Sequence, residues 1–196
     1  MGYPSVTGKH FIPLESNPTV FTELAHGLGL SPELEFHDVF SLDEPDLLSL
    51  IPRPAFALVL VFPTSPNYEA NLQQLDKKKP PEYSKSGIDE DVVWFKQTIN
   101  NACGLYGILH AVTNGAARDF IVPKSHLASL LTSVEPLKNG HLYELDGDRK
   151  GLIERRALNQ DDNMLSERAF GVILEFIRGV GKDIGFSLLA LAPAVN

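Results

Sequence analysis

Apolar residues recur along this chain in short blocks whose spacing switches between helical and extended periods. Val20, Phe21, Leu24 and Leu28 follow a helical period. Asn17 is placed to cap that helix, Pro18 suits its first position, and Gly27 and Gly29 close it. Lys9–Leu14 predicts a short strand before it, and Leu34–Phe40 a strand after it. Asp43-Glu44-Pro45 opens a short helix through Leu47, Leu48 and Ile51, stopped by Pro52 and Pro54. Ala55–Phe62 is apolar on both parities, which predicts a central strand covered on both faces. Pro63–Asp91 reads as a loop around at most one short helix at Glu69–Leu75, with Lys77-Lys78-Lys79 as a solvated stretch.

Val92–Gln97 leads into a helix expected to run from Cys103 to Asn114, with Gly115 as its C-terminal cap. Ser125 suits the cap of a helix through Leu127, Leu130 and Leu131. His141–Leu145 alternates as a strand ending at Asp146-Gly147, beside a second strand at Gly151–Ile153. A helix is expected from Met164 to Arg178, and a last strand from Ile184 to Leu191. Strands on both sides of a helical stretch give an α/β (α+β) architecture. No repeat or linker divides residues 1–196, so one domain is expected.

Composition narrows the picture. The chain is 43% hydrophobic and 21% charged, ordinary for a soluble protein. Its longest apolar run, Ala55–Phe62, is too short to span a bilayer, and the N-terminus lacks a basic-then-apolar leader, so no membrane role is expected. One cysteine excludes an intrachain disulfide and a Cys-rich zinc site, and suits a reducing compartment, cytoplasm or nucleus. A net charge of −8 speaks against nucleic acid and suits a basic protein partner, although it also serves solubility.

The single cysteine lies in Gln97-Thr98-Ile99-Asn100-Asn101-Ala102-Cys103-Gly104. A lone cysteine is commonly a small core residue. At a helix N-terminus, however, the dipole favours the thiolate, which is the nucleophile, and backbone N–H groups can meet a developing oxyanion. Asn100 or Asn101 is placed to cap the helix, and Gln97 to aim an amide at the same oxyanion. Gly104 and Gly107 keep the helix slim, letting another element or a substrate approach.

That octapeptide resembles the active-site segment of the ubiquitin C-terminal hydrolases, a family of papain-like cysteine peptidases. Ile12-Pro13-Leu14-Glu15-Ser16-Asn17-Pro18 resembles their N-terminal strand and turn. Gly140-His141-Leu142-Tyr143-Glu144-Leu145-Asp146-Gly147 resembles their strand ending in the catalytic aspartate, and Ile184–Ala194 their last strand. The resemblance implies a papain-like core, with a central, mainly antiparallel sheet flanked by helices. It implies a thiol-dependent deubiquitinase cleaving amide, ester or thioester bonds at ubiquitin's C-terminal glycine, with no cofactor or metal. Cys103 would be the nucleophile, Gln97 the oxyanion donor, and Asp146 the residue that orients a histidine. A turn aspartate before Gly147 is the plainer reading of Asp146. Ubiquitin or a ubiquitin-like protein is the implied partner, and a monomer is expected.

The family's general base is not found. It should open a strand shortly before Asp146, where this chain has Ser129-Leu130-Leu131-Thr132-Ser133-Val134. The crossover loop and most of that strand look absent between Ser133 and Val134. Six histidines remain as substitutes. His110, seven residues after Cys103 on one helix, lies roughly 10 Å along the axis. His141 lies about 16 Å from Asp146 along an extended strand and on the opposite face. His126 sits in the remnant helix, and His10, His26 and His37 precede the cysteine. Very weak or no turnover is therefore expected, and a catalytically impaired ubiquitin-binding module is the alternative. A segment missing from the sequence, a natural noncatalytic variant and a displaced base would each explain the gap.

Overall fold

A computed structural model describes residues 11, 13–64, 66–77, 83, 92–131, 140–159, 161–180 and 185–195. Its main sheet has three antiparallel strands, β1 (Leu34–Asp38), β2 (Ala57–Val61) and β5 (Ser187–Pro193), in the order β1-β5-β2. Leu34 faces Pro193 across one pairing, and Val59 faces Leu189 across the other. Alternation along β5 divides the core in two. Leu189 and Leu191 join Leu34, Phe36, Ile108 and Val112 on one face. Leu188, Ala190 and Ala192 join Ile51, Leu165 and Phe170 on the other.

The apolar run at Ala55–Phe62 thus forms a strand but not the central one. Among the described residues β2 is an edge, every one of its residues half-buried, whereas β5 is buried at five consecutive positions. Apolarity on both parities reports covered faces, while centrality depends on pairing partners far along the chain. β5 is the covered, central strand.

Helix α1 (Pro18–Leu28) follows its local code. The Asn17 side chain accepts the N–H groups of Thr19 and Val20, and Gly29 ends the helix in the left-handed conformation (φ 115°). α1 buries Phe21 edge-to-face against Phe36, with ring centroids 5.5 Å apart. After α2 (Pro45–Leu48) and β2, α3 spans Pro66–Lys77, longer than the Glu69–Leu75 expected. α4 runs Cys103–Val112 and gives way to a 3₁₀ turn at Gly115–Phe120. Gly115 therefore opens that turn instead of capping α4. Thr113 ends α4, its hydroxyl donating to Leu109 O at 2.7 Å.

Ser125 caps α5 (His126–Leu130) by accepting the Ala128 N–H at 3.1 Å. A separate hairpin pairs β3 (His141–Glu144) with β4 (Ile153–Ala157), and α6 (Glu167–Val180) starts three residues later than expected. Phe11, Pro13 and Leu14 are in no regular element, and the rest of the predicted first strand lies outside the described residues. So does the Ser133–Val134 junction. The helices on both faces of an antiparallel sheet are the mixed α/β architecture expected. No helix of the described residues is long and apolar enough to cross a membrane.

Candidate active site

Cys103 is the first residue of α4 and is exposed, so it is not a core cysteine. The expected asparagine cap is not made. Ala102 holds the cap position with no side-chain hydrogen bond. Asn101 is turned into the left-handed region (φ 59°), and Asn100 gives its carbonyl to the Phe11 N–H at 3.2 Å. The start of α4 is left without a side-chain cap, which keeps its positive dipole end directed at the thiol. The two glycines serve packing. A Cβ on Gly104 would lie 2.9 Å from the Leu14 side chain, and one on Gly107 3.4 Å from Val59. Other elements of the fold, not a substrate, fill that space.

The segment 92–98 that carries Gln97 belongs to no helix or strand. Side chains of α4 and of Asn114 just beyond it take the place of a partner strand. Asn114 accepts the Val93 N–H at 2.8 Å and donates to Val93 O at 2.9 Å. His110 Nε2 accepts the Phe95 N–H at 2.9 Å, and the Tyr106 hydroxyl lies 3.2 Å from Thr98 N. Tyr106 and His110, spaced by four, share one face of α4, and Asn114 lies just past the end of that helix, where the backbone is extended (φ −120°, ψ 158°). The Val93 and Phe95 amides so satisfied are part-buried, where an unpaired N–H would be costly.

His110 is 5% exposed, and burial lowers its pKa to about 4, against the pull of backbone bonds with Phe95 and Leu145. Accepting the Phe95 N–H requires a lone pair on Nε2, so the ring is neutral with its proton on Nδ1. His110 is therefore a latch between three segments. The sequence shows its four-residue spacing from Tyr106 and Asn114, but not the segment lying beside them.

The Asp146 turn closes onto the same segment. Gln97 N–H donates to Gly147 O at 2.9 Å, and the Trp94 indole N–H donates to Asp146 O at 3.0 Å. A Cβ on Gly147 would stand 3.0 Å from Gln97 N and from Phe95 O, so glycine permits this approach. Asp146 Oδ1 accepts the Asp148 N–H at 2.9 Å. Burial raises the Asp146 carboxyl above the usual carboxylate range; the Asp148 N–H opposes this, the Asp148 and Glu144 charges add to it, and Arg149 opposes it. Hydrogen bonds thus join the Gln97 segment to the Cys103 helix on one side and to the Asp146 turn on the other.

No described histidine completes the group. His26 Nε2 lies 2.8 Å from Leu34 O, and His37 Nε2 3.0 Å from Pro193 O. His141 faces Glu154 across the hairpin. His126 is exposed at the start of α5, and among the described residues no hydrogen bond or ion pair links it to Cys103 or Asp146. His10 lies outside the described residues. Among the described residues, no group of three or more His, Cys, Asp or Glu is arranged to hold a metal ion.

Over residues 11–139 the chain matches the family model described as ubiquitin carboxyl-terminal hydrolase, family 1. Gln97 and Cys103 fall inside that match, and Asp146 beyond it. The chain is 43% identical over 122 residues to ubiquitin carboxyl-terminal hydrolase YUH1 of Saccharomyces cerevisiae, covering 62% of this chain and 47% of the yeast protein. The match thus spans about half of that relative's length. It is 30% identical over 237 aligned positions to a probable ubiquitin carboxyl-terminal hydrolase of Dictyostelium discoideum, covering 97% of this chain and 91% of that one. Among solved structures, the Trichinella spiralis UCH37 catalytic domain bound to ubiquitin vinyl methyl ester superposes with a TM-score of 0.68 at 20% identity. That superposition covers 94% of this chain and 96% of the other, and shows a shared fold.

Proposed function

The chain belongs to the ubiquitin carboxyl-terminal hydrolases, family 1, and on that premise we propose that Cys103 is a thiol nucleophile toward the C-terminal carbonyl of ubiquitin. By family this is a cysteine-type hydrolase. The observation that carries the reading is an exposed Cys103 at the uncapped start of α4, a helix joined by hydrogen bonds through segment 92–98 to the Asp146 turn. In this scheme Sγ attacks the glycine carbonyl, while Gln97 and the Cys103 N–H hold the oxyanion. The leaving amine departs with a proton, a thioester remains, and water releases free ubiquitin.

A base must take the thiol proton and an acid must give one to the amine. The described histidines show no link to either step: four are engaged with backbone or Glu154, and His126 is exposed at the start of α5 with no bond to Cys103. We therefore read the chain as a formed thiol site whose turnover is limited by a missing imidazole. The alignment with the Dictyostelium relative supports a missing segment, because it runs over 237 positions against the 196 residues of this chain. A catalytically impaired ubiquitin-binding module is the second reading, favoured by that same lack of a base. A single unpaired cysteine suits a reducing, cytoplasmic or nuclear setting.

Two reagents separate these readings. Ubiquitin carrying a C-terminal vinyl ester should add to Cys103, read as a mass gain abolished by Cys103→Ala. A fluorogenic ubiquitin amide should turn over several orders of magnitude more slowly than by a family member with its histidine. Fast turnover lost in Cys103→Ala would mean that a base is present. Neither adduct nor binding would overturn the assignment of ubiquitin as partner.

A further inference from the structure

Helix α3 holds the Asp146 turn from outside through one buried ion pair. Arg149 is 5% exposed and Asp76 8% exposed. Arg149 Nε lies 3.1 Å from Oδ1 and 3.2 Å from Oδ2 of Asp76, and Nη2 lies 2.8 Å from Oδ1. Asp76 also accepts the Lys150 N–H at 3.2 Å. Arg149 Nη1 is 3.5 Å from Glu144 Oε1, and Glu144 in turn pairs with Arg155. The guanidinium is thus held between α3 and the last residue of β3.

Arg149 is also a near neighbour of Asp146: its backbone N–H donates to Asp146 O at 3.2 Å, and each side chain feels the other's charge. A buried guanidinium beside a carboxylate ordinarily makes a two-pronged bond with it, filling the acceptor positions. Here the fork is committed to Asp76. Among the described residues, the Asp146 carboxylate receives only the Asp148 N–H. The other groups that face it are Tyr68 from α3 and Glu144 and Asp148 from its own strand and turn, and Asp148 is itself faced by Glu69.

We propose that Asp76 and Glu144 sequester the Arg149 guanidinium, keeping the Asp146 carboxylate open to an imidazolium partner. The proposal rests on reading Asp146 as the orienting carboxylate of the thiol site. Asp76, Glu144 and Arg149 are then positioning residues. They act through Asp146 and touch neither substrate nor reacting atoms. A carboxylate already bonded to a guanidinium would lose the acceptor oxygen and much of the field that a histidine needs.

The test is the titration of the Asp146 side chain followed by carboxyl ¹³C NMR, with Asp146→Asn for assignment. In Asp76→Asn the freed Arg149 should swing to Asp146 and lower its midpoint by about one pH unit. Adding Arg149→Gln should reverse that fall, and Asp76→Glu, which keeps the charge, should show none. Mere loosening of the fold would not produce this reversal, and an unmoved midpoint in Asp76→Asn overturns the proposal. Should Asp76→Asn not fold, Arg149→Gln alone decides. Removing a guanidinium already turned away should raise the midpoint by less than about half a pH unit, whereas a rise above about one unit would show Arg149 bonded to Asp146. Adduct formation with the ubiquitin vinyl ester is followed on the same samples. Its absence beside the expected titration sinks the ubiquitin reading, and its presence with an unmoved midpoint sinks the clamp alone.

Discussion

Acid should weaken this fold through His110, by an amount the structure allows to be worked out. The buried imidazole titrates at about 4, against an ordinary 6.5 in the unfolded chain. As pH falls below 6.5 the unfolded chain takes up a proton that the folded chain refuses. Stability attached to the neutral ring is complete above the unfolded pKa and declines until the folded pKa is reached. Each pH unit in that window is worth about 1.4 kcal/mol, so the full span removes about 3 kcal/mol. That is a large part of the ~5–15 kcal/mol that holds a typical domain together. Below about pH 4 both states are protonated and the loss stops. Protonated Nε2 also cannot accept the Phe95 N–H, so the segment carrying Gln97 should detach from α4 first.

The comparison is His110→Gln, whose amide oxygen can still accept that N–H but does not titrate. Urea unfolding of both proteins at pH 7, 6, 5 and 4 gives two stability profiles, and their difference cancels every other titrating group. The wild-type profile should fall by about 3 kcal/mol more than the variant's, most of it between pH 6 and 4. Parallel profiles would refute both the buried neutral ring and its role as a latch.

Two further outcomes follow from the packing. Gly104→Ala should lower stability by about 1–3 kcal/mol in thermal unfolding, because its methyl would stand 2.9 Å from Leu14 Cβ and Cδ1. A stabilised variant, gaining only helix propensity, would show that Leu14 yields. Asn17→Ala should cost about 1 kcal/mol by denaturant titration, since its side chain satisfies the Thr19 and Val20 N–H groups. No change would mean that water replaces the cap at no cost.

Elements coded by neighbouring residues were legible from the chain alone. Asn17, Pro18 and Gly29 bracket α1 within thirteen residues, and Ser125 caps α5. What required the fold was long-range. The apolar strand at Ala57–Val61 proved an edge among the described residues, because the central place goes to a strand over a hundred residues later. Asn100 and Asn101 are sound cap residues by type, yet Phe11 takes one backbone carbonyl and the other residue is left-handed. Asp76 and Arg149, 73 residues apart, give no sequence sign of their pairing. The Gln97 and Cys103 segment was readable because its chemistry is packed into eight consecutive residues. Its attachment to the Asp146 turn, through Gln97 N–H and Gly147 O, was not.

The β1-β5-β2 order sets a timetable for folding. Among the described residues β1 and β2 each pair with β5 and not with each other, and Leu34 finds its partner 159 residues away at Pro193. A chain emerging from the ribosome therefore presents Leu34, Phe36 and the apolar run Ala57–Val61 without this shared mate until residues 187–193 have been made. The main sheet can close only in a late, cooperative step of high contact order. Until then α1 and α4 have no sheet to cover, and the nascent chain depends on shielding from aggregation.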